Sequence, residues 1–273
     1  MAADALLEVR DLRKSYAIAA GGIHRAKGDP STAPGGTVGV DGVSFSLAPG
    51  ETLGIVGESG CGKTTLARIL LRLIEPDSGE MRFRGQDWRG ARGADLRALR
   101  RRIQMVFQDP IASLNARMRV GTIVGEPLAI HEPGLSRADR NTRVAQMLEA
   151  VGLGAEALDR YPHEFSGGQR QRIGIARALI LRPELVVADE PVSALDVSVG
   201  AQILELLDRL RRELSLTLIL ISHSLPVVAQ LATRVSVMQA GKFVESGTAD
   251  QVLQSPQHPY TQALIAAVPE IPA

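Results

Sequence analysis

Short apolar runs along the chain alternate with longer stretches in which apolar residues recur every three or four positions. The short runs are typical of buried parallel strands and lie at Thr52–Val56, Ile103–Phe107, Leu185–Ala188 and Thr217–Ser222. The longer stretches predict helices over Leu66–Leu73, Val120–Ile130, Arg137–Val151, Ser166–Pro183 and Val199–Leu214. Strands and helices that alternate in this way predict a three-layer α/β core.

The remaining pattern predicts additions to that core. Leu6–Leu12, Val43–Leu47 and Met81–Phe83 read as further strands, and Arg234–Gln239 with Lys242–Gly247 reads as a hairpin before a short helical tail. Residues 111–161 are mostly helical and interrupt the strand series, so they predict an inserted helical subdomain. The segment Ala17–Thr37 is rich in Gly, Ala and Pro and indicates a loop or insertion.

Composition narrows the class of protein. The 273 residues are 45% hydrophobic but only 3% aromatic, which predicts an aliphatic core, and the net charge of +1 gives no reason to expect a nucleic-acid partner. The segment Arg82–Arg102 is locally basic, either as a solvated face or as a patch for phosphates, an acidic partner or a membrane surface. A single cysteine, Cys61, excludes an intrachain disulfide. With no secretory signal or membrane span visible, we expect a soluble protein of the reducing cytosol.

One glycine-rich segment carries the strongest chemical signal. It follows a predicted strand, precedes a predicted helix and fits the phosphate-loop pattern G-x-x-x-x-G-K-[ST]. In such a loop, backbone N–H groups and the helix N-terminus bind phosphate, the lysine reaches the β- and γ-phosphates, and the hydroxyl can ligate Mg²⁺. The predicted nucleotide-binding residues here are Gly57, Glu58, Ser59, Gly60, Cys61, Gly62, Lys63, Thr64 and Thr65.

Polar residues follow three of the predicted core strands, where α/β proteins bind their ligands. Asp189 is predicted to hold Mg²⁺, and Glu190, which strand alternation turns to a different side, to orient the attacking water. Gln108 is predicted to bridge water and Mg²⁺, and His223 to contact the γ-phosphate. The alternative for Asp189 and Glu190 is an exposed acidic turn, and the alternative for Gln108 and His223 is an ordinary polar strand end.

A second glycine-rich helix start lacks a lysine. Its hydroxyl, bare amides and helix dipole predict another phosphate-binding surface, formed by Ser166, Gly167, Gly168 and Gln169. Because the helical insertion separates it from the first loop, we expect a two-fold dimer in which each chain offers this turn to its neighbour's nucleotide.

This ordered set of motifs strongly resembles the ATP-binding-cassette (ABC) ATPases, over about Leu6 to Gly247. The resemblance implies that Tyr16 stacks on adenine and that Gly57–Thr64 is the Walker A loop. Further matches are the Q-loop at Gln108, the signature at Ser166–Gln169, the Walker B strand ending at Asp189 and Glu190, the D-loop at Ser193–Asp196 and the switch histidine at His223. The implied fold is a P-loop NTPase cassette with a RecA-like core, an antiparallel β subdomain and a helical subdomain after the Q-loop, at about 111–165.

Other segments resemble the dipeptide/oligopeptide importer ATPases, most closely the second ATPase subunit of a heteromeric pair. They are Val106–Pro110, Ser113–Asn115, Arg160–Ser166, Pro191–Val197 and the tail Ser255–Thr261 with Ala267-Val268-Pro269. We therefore expect a cassette over 1–247 and a C-terminal extension over 248–273. Ala116, Phe165 and Ser224 depart from the usual family residues, and none of them removes a group that touches phosphate or metal. No iron–sulfur cluster is expected, because the tail lacks the cysteines that some relatives carry.

The resemblance implies an ATPase that uses ATP and Mg²⁺ to drive peptide import. Expected partners are a second cassette, identical or different, two membrane permease subunits and, indirectly, an extracytoplasmic binding protein. The chain would then lie peripherally on the cytoplasmic face of the membrane. Nickel chelates or glutathione are alternative substrates, and a non-transport ABC ATPase is a further alternative. A P-loop kinase or switch GTPase would not explain the turn at Ser166 or the position of His223.

Overall fold

A computed structural model describes residues 5–16, 18–19, 22–23 and 37–267. The strands are β1 Leu7–Tyr16, β2 Ile18–Ala19, β3 Gly22–Ile23, β4 Thr37–Leu47, β5 Thr52–Val56, β6 Ser78–Phe83, β7 Gln86–Asp87, β8 Ile103–Val106, β9 Leu185–Asp189, β10 Thr217–Ser222, β11 Arg234–Gln239 and β12 Lys242–Thr248. The α-helices are α1 Lys63–Leu70, α2 Gly93–Arg102, α3 Pro110–Ser113, α4 Val120–His131, α5 Arg137–Ala150, α6 Gly167–Leu179, α7 Val197–Glu213, α8 Leu225–Leu231, α9 Ala249–Gln254 and α10 Pro259–Ala266. Two 3₁₀ turns cover Ala155–Asp159 and Pro162–Glu164.

The chain divides into two compact units, which are described separately. The first consists of Met1–Ala91 with Leu220–Ala273, and the second is Arg92–Ile219. Most of the predicted loop Ala17–Thr37, and the Val268-Pro269 end of the tail motif, lie outside the described residues. No helix in the described ranges combines the length and the apolar character that a membrane crossing needs.

The first unit contains an antiparallel sheet and the strand that leads into the phosphate loop. The antiparallel strands lie in the order β4-β1-β6-β7, and Leu7 of β1 pairs with Leu47 of β4. Strand β5 is buried at every position and pairs in parallel with β11, which in turn pairs antiparallel with β12. Helix α8 packs closely on β5, since a methyl group at Gly54 would lie 2.2 Å from Cγ1 of Val228. A side chain at Gly54 would push that helix off the strand.

The second unit combines buried strands with the helices of the predicted insertion. Strand β8 pairs in parallel with β9, and Ile103 is opposite Leu185. All five residues of β9 are buried, as expected for a strand covered on both faces. The predicted helical subdomain at about 111–165 contains α4, α5 and both 3₁₀ turns, but the compact unit extends further in both directions. The boundaries of the subdomain and of the C-terminal extension therefore stay predictions.

Helix α2 was not predictable from the sequence, because it buries only Leu99 and so shows no apolar stripe. Its last turn carries three arginines, which suit the negative end of a helix dipole. Much of this basic segment serves internal contacts: Arg101 bonds Glu132 at 2.6 Å, Arg102 bonds Glu184, and Arg97 donates to the carbonyl of Ile130. These contacts give the arginines a structural role. Neither interpretation from the sequence, a solvated face or a binding patch, included such a role.

Candidate functional site

Lys63 lies inside the phosphate loop that it was predicted to complete. Its Nζ donates to the carbonyl oxygens of Gly57 at 2.7 Å and Glu58 at 2.9 Å, and only 6% of the residue is exposed. Cys61 Sγ is 3.8 Å from the same nitrogen. Burial raises the pKa of the Cys61 thiol, although the nearby Lys63 ammonium acts in the opposite direction. The loop therefore holds a nearly buried positive charge beside backbone groups.

A turn outside the predicted motif supports the loop through a backbone hydrogen bond. The N–H of Gly241, in the turn between β11 and β12, donates to the carbonyl of Cys61 at 2.9 Å. The carbonyl of Gly241 in turn accepts from the N–H of Asp41 in β4 at 2.8 Å. The hairpin turn thus joins the loop to the antiparallel sheet. No spacing rule in the sequence links these three distant positions.

Glycine is required at two loop positions for a steric reason. A methyl group at Gly57 would lie 2.1 Å from the carbonyl oxygen of Met238, and one at Gly62 would lie 2.0 Å from that of Gly39. Both glycines also have positive φ, 153° at Gly57 and 113° at Gly62. The glycines therefore allow close packing of the loop as well as the curvature expected from sequence.

Helix α1 starts directly after this loop. Gly62 is its N-cap, and the first turn reads Lys-Thr-Thr-Leu, without a carboxylate that would compete for an anion. Thr64, the predicted Mg²⁺ ligand, lies half-buried in this turn. Local structure thus directs a helix N-terminus and a hydroxyl to the end of β5.

Tyr16 is brought to the same loop, as the family resemblance implies for an adenine-stacking residue. A methyl group at Gly39 would lie 2.9 Å from both Cε2 of Tyr16 and Cγ2 of Thr65, so these two side chains flank one glycine. Lys14 Nζ lies 5.9 Å from the centre of the Tyr16 ring. An aromatic surface beside the first turn of α1 fits a base next to bound phosphates, and its use by adenine stays a prediction.

In the second unit, the two carboxylates predicted to act on metal and water lie at the end of β9. Asp189 is 2% exposed and Glu190 is 8% exposed. The alternation argument for Glu190 is wrong, because the strand ends at Asp189 and Glu190 is in the left-handed region with φ 49°. Its carbonyl accepts from the N–H and Oγ of Ser193, at 3.2 and 3.1 Å. A tight turn therefore sets the direction of Glu190, and such backbone strain often marks functional positions.

The signature turn forms a capped helix N-terminus. Ser166 Oγ accepts from the N–H of Gln169 at 3.3 Å, and the Gln169 side chain accepts from the N–H of Ser166 at 2.9 Å. This reciprocal capping gives Gln169 a structural role besides the phosphate contact predicted for it. A methyl group at Gly168 would lie 2.4 Å from Cγ1 of Val199, so the turn packs against the start of α7. Ser166 and Gly167 themselves are exposed.

Gln108 and His223 are both exposed and follow β8 and β10, as predicted. The carbonyl before Gln108, that of Phe107, accepts from Gln171 Nε2 at 3.4 Å, which ties the Q-loop to α6. Gln108, Asp189 and Glu190 belong to the second unit, whereas Lys63 and His223 belong to the first. Pairing of β8 with β9 places Gln108 and the two carboxylates after neighbouring strand ends, and the meeting of all five residues around one nucleotide stays a prediction.

A further contact to the phosphate loop was not predicted from the sequence. The hydroxyl of Tyr260, on α10 in the C-terminal tail, accepts from the N–H of Glu58 at 3.1 Å. The tail motif resembles a subfamily in sequence, and nothing in it predicts a contact with the loop. The only signal for Tyr260 in the sequence is that aromatic residues are rare, and this does not indicate which residue Tyr260 contacts.

Comparison with known proteins decides the family. The family described as "ABC transporter" matches residues 40–193, and the one described as "Oligopeptide/dipeptide transporter, C-terminal region" matches residues 244–273. The chain belongs to the ABC transporter ATPases. The sequence-based identification of this family and of its α/β cassette fold is confirmed.

Individual relatives agree with this assignment. The cassette is 51% identical to "Oligopeptide transport ATP-binding protein AppF" of Bacillus subtilis, over 97% of this chain and 79% of that protein. It is 55% identical to "Oligopeptide transport ATP-binding protein OppF" of Salmonella typhimurium, over 84% of this chain and 69% of that protein. Among solved structures, a dimeric post-hydrolysis state of the cassette MJ0796 bound to ADP and Pi is 26% identical, with a TM-score of 0.76 over 89% of this chain and 98% of that chain.

Proposed function

We propose that this cassette is the ATP-binding and ATP-hydrolysing subunit of an importer of dipeptides and oligopeptides. One observation carries the proposal: a single chain combines the ABC transporter match with the C-terminal region of oligopeptide and dipeptide transporters. The relatives named above are oligopeptide transport ATP-binding proteins. Because the cassette supplies energy and the permeases form the path, the peptide itself would be selected by partner subunits.

Phosphate binding would fall to the loop and to the helix that follows it. Lys63 Nζ now bonds the carbonyls of Gly57 and Glu58. A bound γ-phosphate would replace those carbonyls as the partner of Lys63, a short movement for a charge that is already in the loop. The loop amides and the α1 N-terminus add donors. Such fixed positive groups stabilise the charge that develops on the transferring phosphoryl group.

The predicted metal ligands have the chemistry that Mg²⁺ prefers. Thr64, Gln108 and Asp189 offer a hydroxyl, an amide and a carboxylate oxygen, all hard ligands. No group of three or more His, Cys, Asp or Glu side chains in the described part of the chain forms a metal site by itself. Thr64, Gln108 and Asp189 would hold Mg²⁺ together with the nucleotide, and the ion would supply positive charge to the phosphates.

The residues that would carry out hydrolysis are Glu190, which follows β9, and His223, the switch histidine. Glu190 would orient the attacking water and accept its proton, and its nearly buried position limits competition from bulk solvent. His223, exposed at the end of β10, would contact the γ-phosphate. Gln108 would link this water and the metal to the helical subdomain.

A second cassette would complete the site. Ser166 and Gly167 offer an exposed helix N-terminus to a nucleotide held by the partner. Ser166 is the N-cap of that helix, Gln169 completes the capping box, and the buried Gly168 would add its backbone amide. The MJ0796 structure shows that a related cassette forms dimers. Closure of such a dimer on ATP and its reopening after hydrolysis would drive two permease subunits at the cytoplasmic face of the membrane.

Reconstitution tests this proposal. The chain is combined with its partner cassette and permeases in vesicles, with the binding protein outside, and ATP hydrolysis is measured with a dipeptide, a longer peptide, glutathione or a nickel chelate. We expect stimulation by peptides. Stimulation only by glutathione or the nickel chelate would reject the peptide assignment, and the absence of any ATP hydrolysis would reject the ATPase role.

A further inference from the structure

The C-terminal tail returns to the phosphate loop through one side chain. Tyr260 lies near the start of α10, and its hydroxyl accepts from the N–H of Glu58, a residue 202 positions earlier in the chain. Partial burial raises the pKa of Tyr260, although the hydrogen bond from Glu58 works against that rise. The phenol therefore stays protonated at neutral pH and accepts the bond as a neutral group.

This bond acts on a peptide group that also holds Lys63. The carbonyl of the Gly57–Glu58 peptide accepts from Lys63 Nζ at 2.7 Å, and the N–H of the same peptide donates to Tyr260 at 3.1 Å. A peptide group is planar, so its carbonyl and N–H turn together. Fixing the N–H therefore fixes the direction of the carbonyl, and with it the place where Lys63 rests.

The Gly57–Glu58 peptide depends on a hydrogen bond from outside the loop because glycine precedes it. Gly57 has no Cβ and adopts φ 153°, so the residue itself offers little resistance to rotation of the peptide that follows it. A methyl group there would lie 2.9 Å from Cys61 Sγ as well as against Met238, so the loop cannot gain stiffness by substitution. A hydrogen bond from outside the loop can orient the Gly57–Glu58 peptide instead.

Tyr260 is itself firmly held. The carboxylate of Glu245 in β12 accepts the N–H groups of Gln257 at 2.8 Å and His258 at 3.1 Å. His258 Nδ1 then accepts the N–H of Tyr260 at 3.2 Å. Burial would raise the pKa of Glu245, but the backbone donors of Gln257 and His258, together with the neighbouring Thr261 and His258 side chains, lower the pKa overall, so Glu245 stays ionised at neutral pH. The start of α10 is thereby fixed to the β11–β12 hairpin.

We propose that Tyr260 is a positioning residue for the phosphate loop, through which the C-terminal tail sets the affinity of the cassette for ATP. The hydroxyl orients the Gly57–Glu58 peptide, and the peptide orients Lys63. Loosening the tail at Glu245 has the same effect from a distance, since it frees the arm that carries Tyr260. The inference rests on the proposed function only in taking ATP as the ligand of the loop.

The test compares two isosteric changes with a control on the same helix. Tyr260→Phe removes only the hydroxyl, and Glu245→Gln replaces one acceptor oxygen of the anchor without changing its volume. Ala263→Ser adds one oxygen on the exposed side of α10 and serves as the control. ATP affinity is measured by titration with a fluorescent ATP analogue, KM and kcat in the reconstituted complex, and the alkylation rate of Cys61, the sole thiol, without nucleotide.

We expect Tyr260→Phe to weaken ATP binding about three- to tenfold, the range for losing one neutral hydrogen bond. KM rises while kcat at saturating ATP is kept, and Cys61 reacts faster because the loop opens more often. Glu245→Gln changes these values in the same direction, and Ala263→Ser leaves them at wild type. Variants are compared after their unfolding midpoints have been measured.

Three results would overturn the inference, and each can be told apart from the others. Wild-type affinity and wild-type Cys61 reactivity in Tyr260→Phe would show that the hydroxyl does not control the loop, while the proposed ATPase role stands. A wild-type chain that binds no ATP would reject the proposed function and with it the effect on affinity. A lower kcat with unchanged KM would instead assign Tyr260 to a later step and contradict a positioning role in binding.

Discussion

A methyl group added at Gly62 would lie 2.0 Å from the carbonyl oxygen of Gly39 and 2.9 Å from Cε of Met238. Real Cβ atoms essentially never approach other heavy atoms below 3.0 Å, so the loop or β4 has to move by about 1 Å. The backbone at Gly62 also has φ 113°, which an alanine rarely adopts. Gly62→Ala therefore combines a backbone strain with a collision against main-chain atoms that have little freedom to yield.

The two contributions can be separated. Strain at a positive φ costs about 1–3 kcal/mol, and forced overpacking costs about another 1–3 kcal/mol, so we expect Gly62→Ala to destabilise the fold by about 2–6 kcal/mol. Gly60→Ala is the matched control in the same loop. It has φ 83°, but no heavy atom of the described residues lies within 4 Å of its added methyl group. It should show the strain alone, about 1–3 kcal/mol.

Urea unfolding gives both free energies, and ATP titration gives the effect on the site. A free-energy difference of about 1.4 kcal/mol corresponds to about a tenfold change in an equilibrium constant. Because the collision displaces the loop, Gly62→Ala should bind ATP more than about tenfold more weakly than Gly60→Ala does. Equal unfolding midpoints and equal ATP affinities for the two variants would refute the steric reasoning, because only Gly62 faces the backbone of Gly39.

Further predictions concern the charge and the thiol in the loop. Lys63→Ala should abolish both ATP binding and hydrolysis, because it removes the nearly buried cation; a nucleotide titration with wild-type affinity would contradict this. The raised pKa of Cys61 means that less thiolate is present at a given pH, so alkylation by iodoacetamide should be slower than for a free thiol at pH 7 and should increase only above the usual thiol pKa of about 8.5. In Lys63→Ala this profile should move further toward alkaline pH, since the ammonium that lowers the pKa is lost; an unchanged profile would contradict the contact. Bound ATP should protect Cys61, and full modification with a bulky reagent should block ATP.

Sequence reasoning succeeded where chemistry depends on local spacing. The strands β5, β9 and β10 were predictable because each is a short, continuous apolar run. The loop between β5 and α1 was predictable because the strand, the glycine-rich loop and the helix are contiguous in the chain. The family followed from the order of several such motifs. Ser166 as a helix cap could likewise be read from the Ser-Gly-Gly-Gln run, whereas the bond that the Ser166 N–H donates to the Gln169 side chain was not predicted.

Contacts between distant segments could not be predicted. The bonds of Gly241 to Cys61 and of Tyr260 to Glu58 depend on how the C-terminal hairpin and tail fold back, and no residue pattern near position 58 or 61 records this. Glu190 illustrates a different failure. A period of two predicted its direction, but the strand ends one residue earlier and the left-handed backbone decides instead. Helix α2 was hidden because exposed helices with one buried residue have no periodic signal.

The most direct test of the ATP-driven transport role is peptide accumulation in vesicles that contain the reconstituted importer with wild-type or Glu190→Gln cassettes. ATP is supplied on the cassette side, ATP binding is measured in the same preparations, and labelled peptide is counted on that side over time. We expect the wild type to accumulate peptide, whereas Glu190→Gln should keep ATP binding but lower turnover and transport by orders of magnitude, about 10²-fold or more for loss of a group that activates the water. Near-normal turnover and transport in Glu190→Gln would contradict the assignment of Glu190 and the hydrolysis mechanism proposed for this cassette.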